Sequence, residues 1–372
     1  MDKINVVHLV EDLNVGGLER TIATIAFKIN KDKFNIKVWC LVKGGKILDE
    51  LRDNAIDVEI LGMKSPHNPL FYIKLVRKLR NNGIHIAHTH GVTANGIGCM
   101  AAILAKTPVI ITHIHTIHIK QSYKSTLKDR FLNIFTDKII CCSKAVADFV
   151  IEKERVNSRK VIVIYNGVDI DKFKSKSDGI VEDKGVFTIG CIASLYPHKG
   201  HYSLLEAVKK VTQKTPQKVK LIIVGDGILR DDLENYAEKL GIKELVEFKG
   251  IISDIASVMP MFNLIILPSS KREGLGLSLI EAMASGLPVI GTNIGGISEV
   301  IDDGKSGLLI EPNDSESMAK AILLIINDKN KALAMGERGR EIVKDKFSAC
   351  FMVREIENLY IELFKQKSGN KI

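Results

Sequence analysis

Short apolar runs alternate with longer segments of helical periodicity along the whole chain. Runs of strand length occur in the first half at 6–10, 37–41, 58–61, 84–90, 109–116, 138–142 and 161–165. In the second half they occur at 187–192, 219–224, 246–250, 264–267 and 289–290. Fully apolar short runs joined by amphipathic segments and Gly-bearing turns are typical of buried parallel strands with helical crossovers. The pattern predicts an α/β protein with doubly wound sheets, and the length of 372 residues allows two domains.

One stretch of the second half combines this pattern with candidate chemistry. The predicted strand Leu264–Leu267 is followed by a loop containing Gly274 and Gly276, and then by the predicted helix Leu277–Ala284. Glycines let a ligand approach the backbone closely, and a helix N-terminus presents unpaired N–H groups and a positive dipole end. This arrangement predicts a phosphate site.

Two carboxylates flank the predicted phosphate site, Glu273 in the loop and Glu281 about one turn into the helix. Carboxylates repel phosphate but accept hydrogen bonds from hydroxyl groups. The combination therefore favours an anion with hydroxyls on both sides, as in a nucleotide-diphosphate sugar. An ordinary Gly-rich turn with two solvated glutamates is the structural alternative.

The spacing of Glu273 and Glu281 resembles the Glu-x7-Glu signature of the retaining GT-B glycosyltransferases of group 1, or family 4. That family includes sucrose synthases and many bacterial capsule and lipopolysaccharide transferases. Further similarities follow in family order along nearly the whole chain. The resemblance implies two Rossmann-like doubly wound domains with a cleft between them, and metal-independent transfer of a hexose-type sugar from a nucleotide-diphosphate sugar to an acceptor hydroxyl.

The resemblance also implies a division of the chain. We expect an N-terminal acceptor-side domain at 1–170, completed by a C-terminal crossing helix at about 347–372. We expect a nucleotide-sugar-binding domain at 186–346, and a polar linker at 174–185.

Site residues follow from the resemblance position by position. Glu281 is expected on the ribose and Glu273 on the donor sugar, while Lys199 neutralises the diphosphate. The remaining donor-binding positions are a Gly-Gly loop residue and the 274–277 backbone: Gly17, Gly274, Leu275, Gly276 and Leu277. The sequence departs from the family at Ser194, where an arginine is usual; Arg272 is a candidate replacement for the missing phosphate contact.

The histidines of two adjacent predicted strands form His-x-His pairs, His88 with His90 and His113 with His115. Each pair lies on one strand face, which suggests a metal, but zinc takes three or four ligands and no acidic residue lies within either stretch. We therefore expect no metal. The resemblance implies that His115 is catalytic together with Lys199 and Glu273, with His113 as the alternative if the register differs by two. A purely structural strand-end histidine is the other interpretation.

The net charge of +9 lies entirely in residues 1–169, which hold 25 Lys/Arg and 16 Asp/Glu. This asymmetry suggests an anionic partner, either a lipid-linked or oligosaccharide acceptor or an anionic membrane surface. A basic amphipathic helix at 70–80 is either a membrane-docking element or a helix packed on the sheet, and a cationic loop is predicted at 118–130 beside the cleft. No nucleic-acid-binding module is visible, so we expect no nucleic-acid partner.

No signal peptide is recognised, and the longest apolar run is too short to span a bilayer. The six cysteines form no C-x-x-C pattern, which favours reduced thiols. These features predict a cytoplasmic protein that is peripheral at the inner face of the plasma membrane if the basic half binds lipid.

Three alternatives remain open at this stage. Glu273 and Glu281 could serve a glycoside hydrolase as acid and base. Ser194 in place of the family arginine could mark a non-catalytic sugar-nucleotide binder. Asp169 and Asp171 form a D-x-D pair that could serve a metal-dependent transferase. The donor base, uridine or guanosine, the sugar and the acceptor are not specified.

Overall fold

The computed structural model describes residues 3–117, 130–173 and 185–369. It divides into two units, the first formed by Met1–Gly167 with Ala349–Ile372 and the second by Val168–Ser348. The cationic loop expected at 118–130 lies, apart from Arg130, outside the described residues. The same holds for the linker expected at 174–185, apart from Gly185.

The first unit is built on a parallel sheet of seven strands in the order β3-β2-β1-β4-β5-β6-β7. Its strands are β1 Ile4–Val10, β2 Phe34–Cys40, β3 Asp57–Ile60, β4 Ile86–His90, β5 Val109–Ile114, β6 Lys138–Cys141 and β7 Val161–Val163. Its helices are α1 Gly17–Lys28, α2 Lys46–Asp53, α3 Pro69–Asn81, α4 Gly91–Ala105, α5 described over 130–135, and α6 Lys144–Glu152.

The second unit is built on a parallel sheet of six strands in the order β10-β9-β8-β11-β12-β13. Its strands are β8 Val186–Ile192, β9 Lys218–Val224, β10 Val246–Gly250, β11 Leu264–Leu267, β12 Val289–Thr292 and β13 Leu308–Ile310. Its helices are α7 His201–Lys214, α8 Arg230–Lys239, α9 Leu277–Ala284, α10 Ile297–Val300, α11 Ser315–Asn327 and α12 Lys329–Lys346. Short 3-10 turns lie at Ile170–Lys172, Pro197–Lys199, Lys243–Leu245 and Met259–Met261 in this unit, and at Ser158–Lys160 in the first unit.

The last helix, α13 Ala349–Ser368, belongs to the first unit although it follows the second in sequence. Its apolar face includes Ile356 and Tyr360, which are fully buried in the same core cluster as α1, α2 and one face of the first sheet. The helix begins two residues later than the expected 347 because Phe347 caps the end of α12 and is itself buried.

The apolar pattern predicted twelve of the thirteen strands that the structure describes, and it gave Leu264–Leu267 and Leu277–Ala284 with identical bounds. It missed β13, Leu308–Ile310, which is short and follows a turn-rich stretch. Helix α3 buries Phe71, Leu75 and Leu79 against the sheet, whereas Leu70 and Ile73 are exposed. Among the described residues, no helix combines the length and apolar character needed to cross a membrane. All six cysteines are free thiols.

Candidate donor site and histidine cluster

Two loops of the second unit meet at the point where the strand order of its parallel sheet reverses. Strands β8 and β11 are neighbours, and successive strands are added outward from them on both sides. Ligands of open α/β sheets bind outside the carboxyl ends of the strands at this switch point. The loop after β8 contacts the loop after β11 through the Ser270 N–H, which donates to the His198 carbonyl at 2.8 Å. Gly200 makes the contact possible, because its φ is +72° and a Cβ there would lie 1.9 Å from the Pro268 carbonyl oxygen.

This contact brings together two of the predicted site residues. Lys199 Nζ lies 2.6 Å from Glu273 Oε2, and the two side chains are 17% and 14% exposed. The same carboxylate oxygen accepts a hydrogen bond of 2.8 Å from Ser269 Oγ, and Ser269 is fully buried. Ser269 was missed by the sequence analysis. Its position directly after the apolar strand was the available signal.

The loop after Glu273 leads directly into helix α9. Gly274, Leu275 and Gly276 are buried, and Gly276 caps the helix with φ +87° and without a side-chain hydrogen bond to the first turn. Leu277 is the first helical residue. The expected phosphate-binding backbone is therefore a helix N-terminus whose first N–H groups receive no side-chain cap.

A second glycine pair, Gly295 and Gly296, packs closely against the backbone of this loop. A Cβ on Gly295 would lie 2.1 Å from the Glu273 carbonyl oxygen, and one on Gly296 would lie 2.2 Å from that of Gly274. The Gly296 N–H also donates to the Glu273 carbonyl at 3.2 Å. The sequence identified these glycines only as a turn, because their contact is with a loop twenty residues earlier in the chain.

Three further predicted residues, Ser194, Arg272 and Glu281, lie in the same unit. Ser194 is exposed, and its carbonyl accepts a hydrogen bond of 3.1 Å from His201 Nε2. Burial is the main cause of the lowered pKa of His198, and the charges of Lys199 and Arg272 lower it further. Arg272 is therefore close enough to His198 to affect its charge, as Lys199 is. Glu281 lies half-buried on α9.

In the first unit, Gly17 is the first residue of α1 and follows the N-cap Gly16. The Glu19 carboxyl group folds over this turn, so that a Cβ on Gly16 would lie 2.4 Å from Glu19 Oε2. Burial raises the pKa of Glu19 to about 7, opposed by its backbone hydrogen bond and assisted by the charge of Asp12. A carboxyl group that titrates near neutrality therefore covers the loop expected to face the donor diphosphate.

Five histidines gather on one face of the first sheet. His8 of β1 is the cross-strand partner of His88 on β4, and His90 is the partner of His113 on β5. His115 follows on the same face, and its ring stacks on that of His113 with centroids 3.9 Å apart. The sequence revealed the two pairs but not their convergence or the addition of His8, since these depend on strand order.

Hydrogen bonds connect most of these rings in a chain. His8 Nδ1 and His90 Nε2 are 2.9 Å apart, and His90 Nδ1 and His115 Nε2 are 3.1 Å apart. At one end, the Tyr360 hydroxyl lies 2.6 Å from Nδ1 of His88 and 3.4 Å from Nε2 of His8. At the other end, the Asn166 amide lies 3.4 Å from His115 Nδ1.

His115 also lines a cavity of ≈ 310 Å³ in the first unit, together with Asn95, Thr112 and Glu154. His113 is fully buried and does not line this cavity. The structure therefore places His115, and not His113, at the border of this cavity.

Burial keeps the whole cluster neutral. It lowers the pKa of His8 and of His115 to about 3. It lowers the pKa values of His88, His90 and His113 well below their usual value, and the neighbouring imidazoles contribute in the same direction. At neutral pH each ring thus carries one proton and one lone pair.

Comparison with known proteins accounts for nearly all of the chain. Residues 15–172 match the family model of Glycosyltransferase Family 4, and residues 172–342 match that of the glycosyl transferases group 1. The chain is 28% identical to the UDP-Gal:alpha-D-GlcNAc-diphosphoundecaprenol alpha-1,3-galactosyltransferase of Escherichia coli, over 98% of both chains. It is 31% identical to the uncharacterized glycosyltransferase MJ1178 of Methanocaldococcus jannaschii, over 77% of both chains.

Solved structures share the fold. Anabaena Alr3699/HepE in complex with UDP-glucose has a TM-score of 0.85 at 24% identity, covering 96% of this chain and 100% of that one. The sucrose-phosphate synthase of Thermosynechococcus elongatus has a TM-score of 0.80 at 19% identity, covering 98% and 100%. The chain belongs to the group 1, family 4 glycosyltransferases and has their GT-B fold of two Rossmann-like α/β units.

Proposed function

We propose that this transferase moves a hexose from a nucleotide-diphosphate sugar to an acceptor hydroxyl with retention of anomeric configuration. The observation that carries the proposal is the pairing of Lys199 with Glu273 beside the uncapped N-terminus of α9, at the switch point of the second sheet. A cation and helix N–H groups suit the diphosphate, and the adjacent carboxylate suits sugar hydroxyls. Donor binding would exchange the internal ion pair for these two contacts.

The same groups account for the chemistry of transfer. The acceptor oxygen forms a bond to the anomeric carbon as the bond to the donor phosphate oxygen breaks, and the acceptor proton passes to that phosphate. Lys199, assisted by Arg272, and the first turn of α9 stabilise the negative charge that develops on the leaving diphosphate. With this charge taken up by the protein, we propose that the transfer step requires no metal and no cofactor.

His115 and Gly17 are assigned by the family resemblance, and the first unit supplies supporting observations. The neutral His115 imidazole borders a cavity and can hydrogen-bond a hydroxyl of the transferred sugar, which orients its reacting carbon. Gly17 begins a helix whose N-terminus suits a phosphate when the Glu19 carboxyl group is protonated or turned away.

We further propose a lipid-linked saccharide as acceptor, reached from the cytoplasmic face of a membrane. The basic excess of residues 1–169 favours an anionic partner, and α5 exposes Phe131, Ile134 and Phe135. The E. coli relative is named for transfer to a diphosphoundecaprenol-linked sugar, and a Staphylococcus aureus relative is named for capsular polysaccharide biosynthesis. These names support a role in surface-polysaccharide assembly.

The proposal is tested by thermal denaturation with UDP, GDP and their sugars, because a ligand that binds the native state raises the melting temperature. Glu281→Ala should reduce the shift given by the plain nucleoside diphosphate, since it removes the expected ribose contact. Glu273→Ala should spare that shift and reduce the additional shift given by the sugar. The exposed Glu244→Ala is the control, and equal effects of both site variants on both ligands would refute the assignment.

A further inference from the structure

Three imidazoles on the first sheet have ring nitrogens close enough to bind one metal ion. In each of the triads His8/His88/His90 and His90/His113/His115, one nitrogen per ring lies within 4.8 Å of the others. The second triad is the more suitable. Its member His115 borders the cavity, which offers an entry path for an ion.

The distance between two of these nitrogens fits tetrahedral coordination. Zinc binds imidazole nitrogen at about 2.0–2.1 Å, so two ligand nitrogens in a tetrahedron are about 3.3–3.4 Å apart. His90 Nδ1 and His115 Nε2 are 3.1 Å apart. The His113 and His115 rings stack face to face, so the rings must also rotate to direct their lone pairs at one ion, which would replace the hydrogen bond between His90 and His115.

The outer nitrogens of the same two rings already have partners. Ligating histidines usually hold their second ring nitrogen in a hydrogen bond, which fixes the tautomer. His90 Nε2 can donate its proton to His8 Nδ1 at 2.9 Å. The Asn166 amide faces His115 Nδ1, and its oxygen, which has no hydrogen-bond partner among the described residues, can accept the His115 proton after a half turn of the amide.

His113 provides the independent observation. Its ring is fully buried, and neither of its nitrogens has a hydrogen-bond partner within the described part of the chain. A buried imidazole that satisfies neither its donor nor its acceptor is costly, and coordination of an ion by its lone pair would offset part of that cost.

We propose that His90, His113 and His115 form a binding site for a borderline divalent transition-metal ion such as Zn²⁺ or Co²⁺. Three neutral nitrogen ligands and one open position toward the cavity suit these ions, whereas Mg²⁺ and Ca²⁺ prefer oxygen. An ion held there uses the lone pair of His115. Transition metals should therefore inhibit transfer rather than support it, a consequence that rests on the role proposed for His115.

Binding is tested with the full chain after chelator treatment, by Co²⁺ titration followed by visible absorption and by Zn²⁺ competition. One equivalent of Co²⁺ should bind with a tetrahedral-type spectrum. His113→Asn should abolish binding. His8→Asn, whose amide oxygen can still accept the His90 proton, should retain it with an affinity loss of about tenfold or less. Circular dichroism establishes that each variant is folded.

Several results would overturn the proposal. One is that Co²⁺ does not bind to the folded wild-type chain. Another is that His8→Asn loses Co²⁺ binding while His113→Asn retains it. Inhibition is measured separately, as the loss of transfer rate on adding Zn²⁺ and its recovery with a chelator. Zinc binding without inhibition would refute the inhibition through His115, but it would still support the metal site. Absence of transfer with every donor would count against the proposed function and not against the metal site.

Discussion

Acidification below about pH 6.5 should destabilise the first unit, because this unit buries five neutral histidines. In the unfolded chain these imidazoles have a pKa of 6.5, whereas burial in the fold lowers that of His8 to about 3. Below pH 6.5 the unfolded chain therefore binds more protons than the native one. Stability is complete above about pH 7.5 and is lost progressively as the pH falls toward the folded pKa.

The loss of unfolding free energy can be worked out histidine by histidine. At about pH 5, a histidine whose pKa falls from 6.5 to about 3 on folding costs about 2 kcal/mol of stability. His115, whose pKa also falls to about 3, costs about the same, so the two together cost about 4 kcal/mol at this pH. His88, His90 and His113 act in the same direction. Glu19 acts in the opposite direction, because its pKa is raised to about 7 on folding, and it adds about 2 kcal/mol to the free energy of unfolding at the same pH. The loss from the histidines therefore exceeds the gain from Glu19, in a domain whose whole stability is typically about 5–15 kcal/mol.

The assay is urea unfolding at a series of pH values in the presence of a chelator. Trp39 is the sole tryptophan and is 1% exposed in the core of the first unit, so its fluorescence reports on this unit. The free energy of unfolding should fall steeply between about pH 7.5 and pH 5, and His8→Asn should reduce that fall by about 2 kcal/mol. A free energy that stays constant within about 1 kcal/mol over this interval would refute the reasoning.

Three further outcomes can be measured. In steady-state kinetics, Lys199→Ala should lower both turnover and donor affinity. His115→Ala should lower turnover by about a hundred- to a thousand-fold and have a smaller effect on donor affinity. A His115→Ala variant that loses mainly donor affinity, with Lys199→Ala losing mainly turnover, would contradict these roles. Gly296→Ala should raise the donor KM because its Cβ displaces the Gly274 backbone, while Gly304→Ala, strained at φ +75° but with no atom within 4 Å of its Cβ, should leave the KM unchanged. Co-sedimentation with anionic liposomes should increase with anionic lipid and decrease with salt, and no binding at low salt would favour a soluble acceptor.

The sequence determined the secondary structure and the local parts of the donor site. Burial on both faces makes a parallel strand continuously apolar, so runs such as Leu264–Leu267 were recognisable without tertiary information. The loop from Glu273 to Gly276 and the helix from Leu277 are contiguous in the chain, and their geometry follows from local rules for glycine and helix N-termini.

Contacts between distant residues were decided by strand order and register. Lys199 meets Glu273 because β8 and β11 are neighbours in the sheet, although 74 residues separate the two side chains. No periodicity indicates that β1 lies beside β4, which brings His8 to His88 and His90, or that α13 returns to place Tyr360 against them. The local pattern specifies which face of an element is buried, and only the packing of whole elements decides which buried side chains share that face.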